Sequence, residues 1–79
     1  MMTLRPYDPL RKTENLGVMW TLRKDARTVR CALHTHPMGW ELVVTLDGEV
    51  AHTQLCRTQE SVFETSDKSR GAWAKTGWA

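Results

Sequence analysis

His34, His36, His52 and Cys56, with Glu41 not far along the chain, are the residues whose types could do chemistry. Imidazoles and thiolates ligate zinc, and His34-Thr35-His36 would send two imidazoles to one face of an extended segment. Tetrahedral zinc needs its donors about 2 Å from the metal, whereas His52 would sit two strands away, roughly 9–10 Å at the usual spacing. Only His36 and Cys56 have a loop's freedom to adjust. The four are therefore expected to be surface or structural residues, with no metal and no cofactor. His34 and Glu41 have the makings of an acid–base dyad and Cys56 of a nucleophile. Nothing sets the thiol beside an imidazole, no Gly-rich turn builds an oxyanion hole, and a flat sheet face does not exclude water. The expectation is a protein that is not an enzyme. A cross-strand His34–Glu41 pair is the simpler role.

A second cluster is cationic. Arg23, Lys24, Arg27 and Arg30 crowd one short stretch, relieved only by Asp25, and Arg5, Arg11 and Lys12 precede it. Such a group can grip phosphates, with strongly salt-dependent binding. Single-strand recognition on a sheet also calls for exposed aromatic platforms, and the tryptophans are better placed inside. The net charge of +2 is mild. Nucleic acid is thus the alternative partner, resting on charge alone.

These residues need elements to hold them. Trp40, Leu42, Val44 and Leu46 alternate with Glu41, Val43 and Thr45, the period of a strand with one dry face. Asp47-Gly48 follows at once and predicts a type I′ hairpin, in which both central residues need φ > 0. Upstream, Val18, Trp20 and Leu22 mark one strand and Val29, Cys31 and Leu33 another, joined through Lys24-Asp25-Ala26-Arg27. Ala26 in place of Gly predicts a type I or slightly strained turn there. His36-Pro37-Met38-Gly39 makes the next turn, and a fourth strand runs from Glu49 to about Arg57. Read as symmetric turns, these set Leu22 against Val29, Trp20 against Cys31, Val18 against Leu33, Leu33 against Leu42 and Cys31 against Val44. On the fourth strand, Ala51 should face Val44, Thr53 Leu42 and Leu55 Trp40. A one-residue slip would turn any of these strands inside out.

From Thr58 the period changes. Thr58 suits an N-cap, and Val62, Ser66, Ser69 and Trp73 recur at helical spacing beside Phe63. Gly77 suits the helix stop, with Trp78 folding back on Trp73. Small Ser66 and Ser69 would let the helix lie close over Trp20 and Trp40; a break near Ser66-Asp67 is the rival. The predicted fold is α+β: a four-stranded antiparallel β-meander with one face covered by a C-terminal helix (ββββα). Residues 1–16, with Pro6 and Pro9 and no period, would form an extended arm, and residues 17–79 the domain.

Seventy-nine residues, 41% apolar and 25% charged, suit one globular domain near the lower size limit for a self-sufficient core. Two unrelated cysteines make no disulfide framework, which fits a reducing cytoplasm. No apolar run approaches membrane-spanning length.

The other sheet face should stay open. Its predicted central row is Met19, Ala32, Val43 and His52, three of them apolar. A contiguous strip of that kind on a solvated face implies that the N-terminal arm covers it, that a second protomer does, or that it is a binding patch. The residues predicted to bind a partner are Met19, Val43 and His52 on this face, with Arg23, Arg27 and Arg30 at the basic hairpin. A protein partner is expected, or a second copy of this chain across the open face or a strand edge.

The pattern His-Pro-x-Gly-Trp-Glu-Leu, then Asp-Gly-Glu, Gln54, Arg57 and Gly77-Trp78, resembles small uncharacterised bacterial proteins of about this length. It spans residues 17–78, and its motifs are turns and a helix end, so it carries over no functional residue. In size and build the chain is also similar to phage-borne anti-CRISPR inhibitors, a likeness of class and not of motif. That likeness implies a small inhibitor acting by occlusion.

Overall fold

The computed structural model describes residues 14–79, so the proposed arm lies outside the described residues up to residue 13. Alternating apolar residues and tight turns produce four antiparallel strands in the order β1-β2-β3-β4, namely β1 (Asn15–Lys24), β2 (Arg27–His36), β3 (Gly39–Leu46) and β4 (Glu49–Cys56). A single helix, α1 (Gln59–Ala74), packs on one face and completes ββββα. The strand begins earlier than expected: Asn15 and Leu16 belong to β1, and Glu14 exchanges hydrogen bonds with Thr35.

The central pair follows the sequence throughout. Leu33 faces Leu42, Cys31 faces Val44, and His34 faces Glu41. Asp47 and Gly48 both have positive φ, 52° and 88°, as a type I′ turn requires. In the first hairpin the left-handed residue is Asp25 (φ 57°) and not Ala26. The turn is thus the strained alternative rather than plain type I, and a short Asp side chain tolerates positive φ better than Ala would. Gly39, at φ 143°, lies so near the Cys56 carbonyl that an added Cβ would overlap it.

Three bulges change the outer strands. Register shifts lie between Asn15 and Gly17 and between Val18 and Trp20 on β1, and opposite Val44/Thr45 on β4. Val18 consequently faces Ala32 instead of Leu33, and it is 54% exposed. On β4, Val44 meets His52, Leu42 meets Gln54 and Trp40 meets Cys56, with Ala51 as the extra residue. A bulge inserts one residue without a cross-strand partner and reverses the parity beyond it. Leu55, expected inside, therefore turns outward, and Cys56 goes in.

The core lies between sheet and helix. Trp20, Leu22, Val29, Cys31, Leu42, Val44, Cys56, Val62 and Trp78 are buried, with Met19, Leu33, Trp40, Leu46 and Trp73 packed against them. Thr58 caps α1 by accepting from the Ser61 amide at 3.0 Å. The helix is continuous through Ser66-Asp67. It meets the sheet at buried Ser66, whose carbonyl accepts from Trp20 Nε1 at 3.2 Å. A hydroxymethyl there leaves room for the indole below. After Gly77 (φ 97°) the chain turns back, and Trp73 and Trp78 meet edge-to-face at 5.3 Å. Ala79 then exchanges two backbone hydrogen bonds with Arg23, both 3.0 Å, and so covers part of the β1 edge.

Candidate functional site

Strand parity decides what the open face presents. Beyond the bulges it carries Val18, Ala32, Val43 and Thr53 as one row across all four strands. The row on one side is Thr21, Arg30, Thr45 and Val50; on the other, Asn15, His34, Glu41 and Leu55. The central row is apolar at three of its four places. Val18, Val50 and Leu55 are 54%, 65% and 38% exposed, while Ala32 and Val43 are half-buried among their neighbours. Among the described residues no element lies over this face, because α1 packs on the opposite one.

The six residues singled out from sequence divide three ways. Val43, Arg23 and Arg30 do share the open face, with Arg23 opposite Thr28 and Arg30 opposite Thr45. Met19 does not. It is a bulge residue, half-buried and packed against the core, and Val18 takes its place in the row. His52 is also on the helix side, opposite Val44, because the Ala51 bulge shifts it there; Thr53 fills its place. Arg27 is held at the hairpin end, its Nε donating to Asp47 Oδ2 at 2.9 Å. The Thr28 amide donates to the other carboxylate oxygen at 3.0 Å. That amide, then Arg27, holds the Asp47 carboxyl below its ordinary range.

The histidines and Cys56 do not converge. His34 is on the open face, His52 and Cys56 are on the helix side, and His36 Nδ1 accepts from the Met38 amide. Among the described residues no three His, Cys, Asp or Glu side chains come together as a metal site would require. Cys31 faces Trp20, fully buried, and burial first, then Cys56, pushes its thiol up to about 11. It is a packing residue.

Among the described residues, grooves open on the helix side. One, of about 260 Å³, has Cys31, Leu42 and Val44 as its floor and His52, Gln54, Thr65, Lys68 and Ser69 as its rim. Another, of about 270 Å³, runs between Leu16, Leu33 and Trp40 of the sheet and Gln59, Val62 and Phe63 of the helix. Ser69 of the small inner helix stripe lines the first groove, whereas the helix side of the second is formed by larger side chains. Leu16, a bulge residue placed in the arm by sequence, belongs to the second groove. Val18 and Leu55 are the apolar open-face residues that sequence reasoning missed, and Asn15 and Thr53 the polar ones. No composition signal marks a bulge, but the apolar character of Leu16, Val18, Met19 and Trp20 together already strains a strict alternation.

Comparison of the chain with known protein families, with curated proteins and with solved structures finds no match. No helix among the described residues is long and apolar enough to cross a membrane.

Proposed function

We propose that this is a small, non-enzymatic binding protein that acts by occluding a protein partner with the open face of its sheet. The observation that supports it is the row Val18–Ala32–Val43, contiguous across three strands with no described element above it. A solvated sheet face ordinarily alternates to polar residues, so a continuous apolar row marks a contact surface. Arg30 in the next row and Arg23 one row beyond it form a charged rim that steers approach, with the aliphatic centre supplying the dry contact. A cytoplasmic inhibitor of bacterial or mobile-element origin, of the anti-CRISPR type, fits such a device. Occlusion needs a surface and no reacting group.

The test is affinity capture from the native host, comparing the wild-type chain with Val43→Glu and with Lys68→Glu on the helix side. The reading requires a partner held by wild type and by Lys68→Glu and lost with Val43→Glu. Equal retention by all three would exclude the open face. A nucleic-acid partner is favoured by one observation, the presence of both Arg23 and Arg30 on that face. The open-face rows carry no Trp, Tyr or Phe to stack on a base. Absence of oligonucleotide binding at about 50 mM salt eliminates it.

A further inference from the structure

The two edges of the sheet are finished differently. Along β1, bulges at Leu16 and Met19 interrupt the strand, Arg23 exchanges hydrogen bonds with Ala79, and Lys24 Nζ donates to the Thr76 carbonyl at 2.7 Å. Irregularity, charge and covering chain are the usual means by which an edge is kept from pairing. β4 has only its bulge. Between Glu49 and Arg57 it carries no Lys, Arg, Asp or Glu, and its residues Glu49–Leu55 are all exposed. Among the described residues its only strand neighbour is β3.

We propose that the β4 edge pairs antiparallel with the β4 edge of a second copy of this chain, about a dyad at Thr53. With Ala51 set aside as the bulge residue, the register follows by counting. Thr53 faces Thr53 of the second copy, and His52 faces Gln54 of that copy. Val50 faces its Leu55. Every pair lies on one side of the sheet: the threonines and the Val50–Leu55 pairs on the open face, the His52–Gln54 pairs on the helix face. Each is complementary: hydroxyl with hydroxyl, imidazole with amide, and two exposed aliphatics with each other. Glu49 of each copy then lies opposite Cys56 of the other, on the helix face. A dyad one residue on, at Gln54, would set Val50 against Arg57 and Leu55 against Thr53, and it forfeits the match. The product is an eight-stranded sheet in which the two open faces are continuous, an arrangement independent of what partner that face binds.

Sedimentation equilibrium of the full chain from micromolar to millimolar concentration tests this, together with a Thr53→Cys variant under mild oxidation. Directly opposed residues of an antiparallel pair have Cα atoms about 4.5–5.5 Å apart, within the range a disulfide spans. The proposal requires a dimer, a Thr53→Cys crosslink, and none from Thr21→Cys on β1. It also requires Leu55→Lys to weaken the dimer by about tenfold or more, since lysine is the natural blunting residue of an edge. Val50→Lys, at a more exposed position, gives the same reading should Leu55→Lys impair folding. A monomer at the highest concentration overturns the proposal. So does a dimer crosslinked through Thr21→Cys, or one indifferent to both lysine variants.

Discussion

Deleting Ala51 is the sharpest probe of how β4 is set. Val50 faces Thr45 and His52 faces Val44, so Ala51 has no residue opposite it on β3. Removing it closes the bulge and leaves His52–Val44, Gln54–Leu42 and Cys56–Trp40 in place. The expected change in stability is within about 1 kcal/mol, the size of a surface change that breaks no core contact. In a flush hairpin the same deletion would turn Leu55 out of the core and put Gln54 in. That would cost about 1.5–3 kcal/mol for the leucine, plus about 1–3 kcal/mol for a buried amide. With a urea m-value of about 1 kcal/mol/M for so small a domain, the two cases differ by roughly 2 M or more in midpoint. Urea unfolding followed by tryptophan fluorescence reads this directly, since Trp20 and Trp78 are buried. A midpoint lowered by several molar would refute the bulge and return His52 to the open face.

Three further outcomes follow from the same geometry. Gly39→Ala must both hold φ 143° and clear the Cys56 carbonyl, so it should lose about 2–4 kcal/mol in urea unfolding; an unchanged midpoint would contradict the close approach. Asp47 has a depressed carboxyl pKa, so its contribution is present above the ordinary Asp value and is lost as pH falls through the lower folded value. Asp47→Asn keeps a residue that tolerates the left-handed turn, and should flatten the acid side of the stability profile while leaving the neutral to alkaline side parallel to wild type; an unaltered acid limb would count against the Thr28 and Arg27 contacts. Cys31, fully buried and with its thiol pushed up to about 11, should resist alkylation at neutral pH and react only as the domain unfolds. Peptide mapping that finds it modified in the native protein would contradict its place in the core.

The fold and half of the candidate site were legible in the sequence, and the reason lies in which strands are half-buried. β2 and β3 each have a dry and a wet face, so Cys31, Leu33, Leu42 and Val44 fix the register and Val43 is placed correctly with them. The small stripe of Ser66 and Ser69, the Thr58 cap and the Trp73–Trp78 contact were readable for the same reason: each has a chemical signature at a fixed spacing. β1 and β4 are edges. On β4 both parities are exposed and of similar polarity, so no burial pattern opposes a one-residue slip at Ala51. On β1, Leu16, Val18, Met19 and Trp20 are all apolar, and alternation cannot say which two are bulged. His52 and Met19 were misplaced through that silence, while Arg23 and Arg30 escaped it because the tight Asp25-Ala26 turn fixes their end of the hairpin.

The central claim is that contact is made by the open face and not by the helix side. Val18 and Phe63 offer a matched pair, 54% and 62% exposed on opposite sides of the molecule. A photo-crosslinking residue placed at each position in turn, in cells of the native host, reads which side meets a partner. Adducts to another protein from position 18, and none from position 63, are the result expected. Adducts from position 63 alone would contradict it.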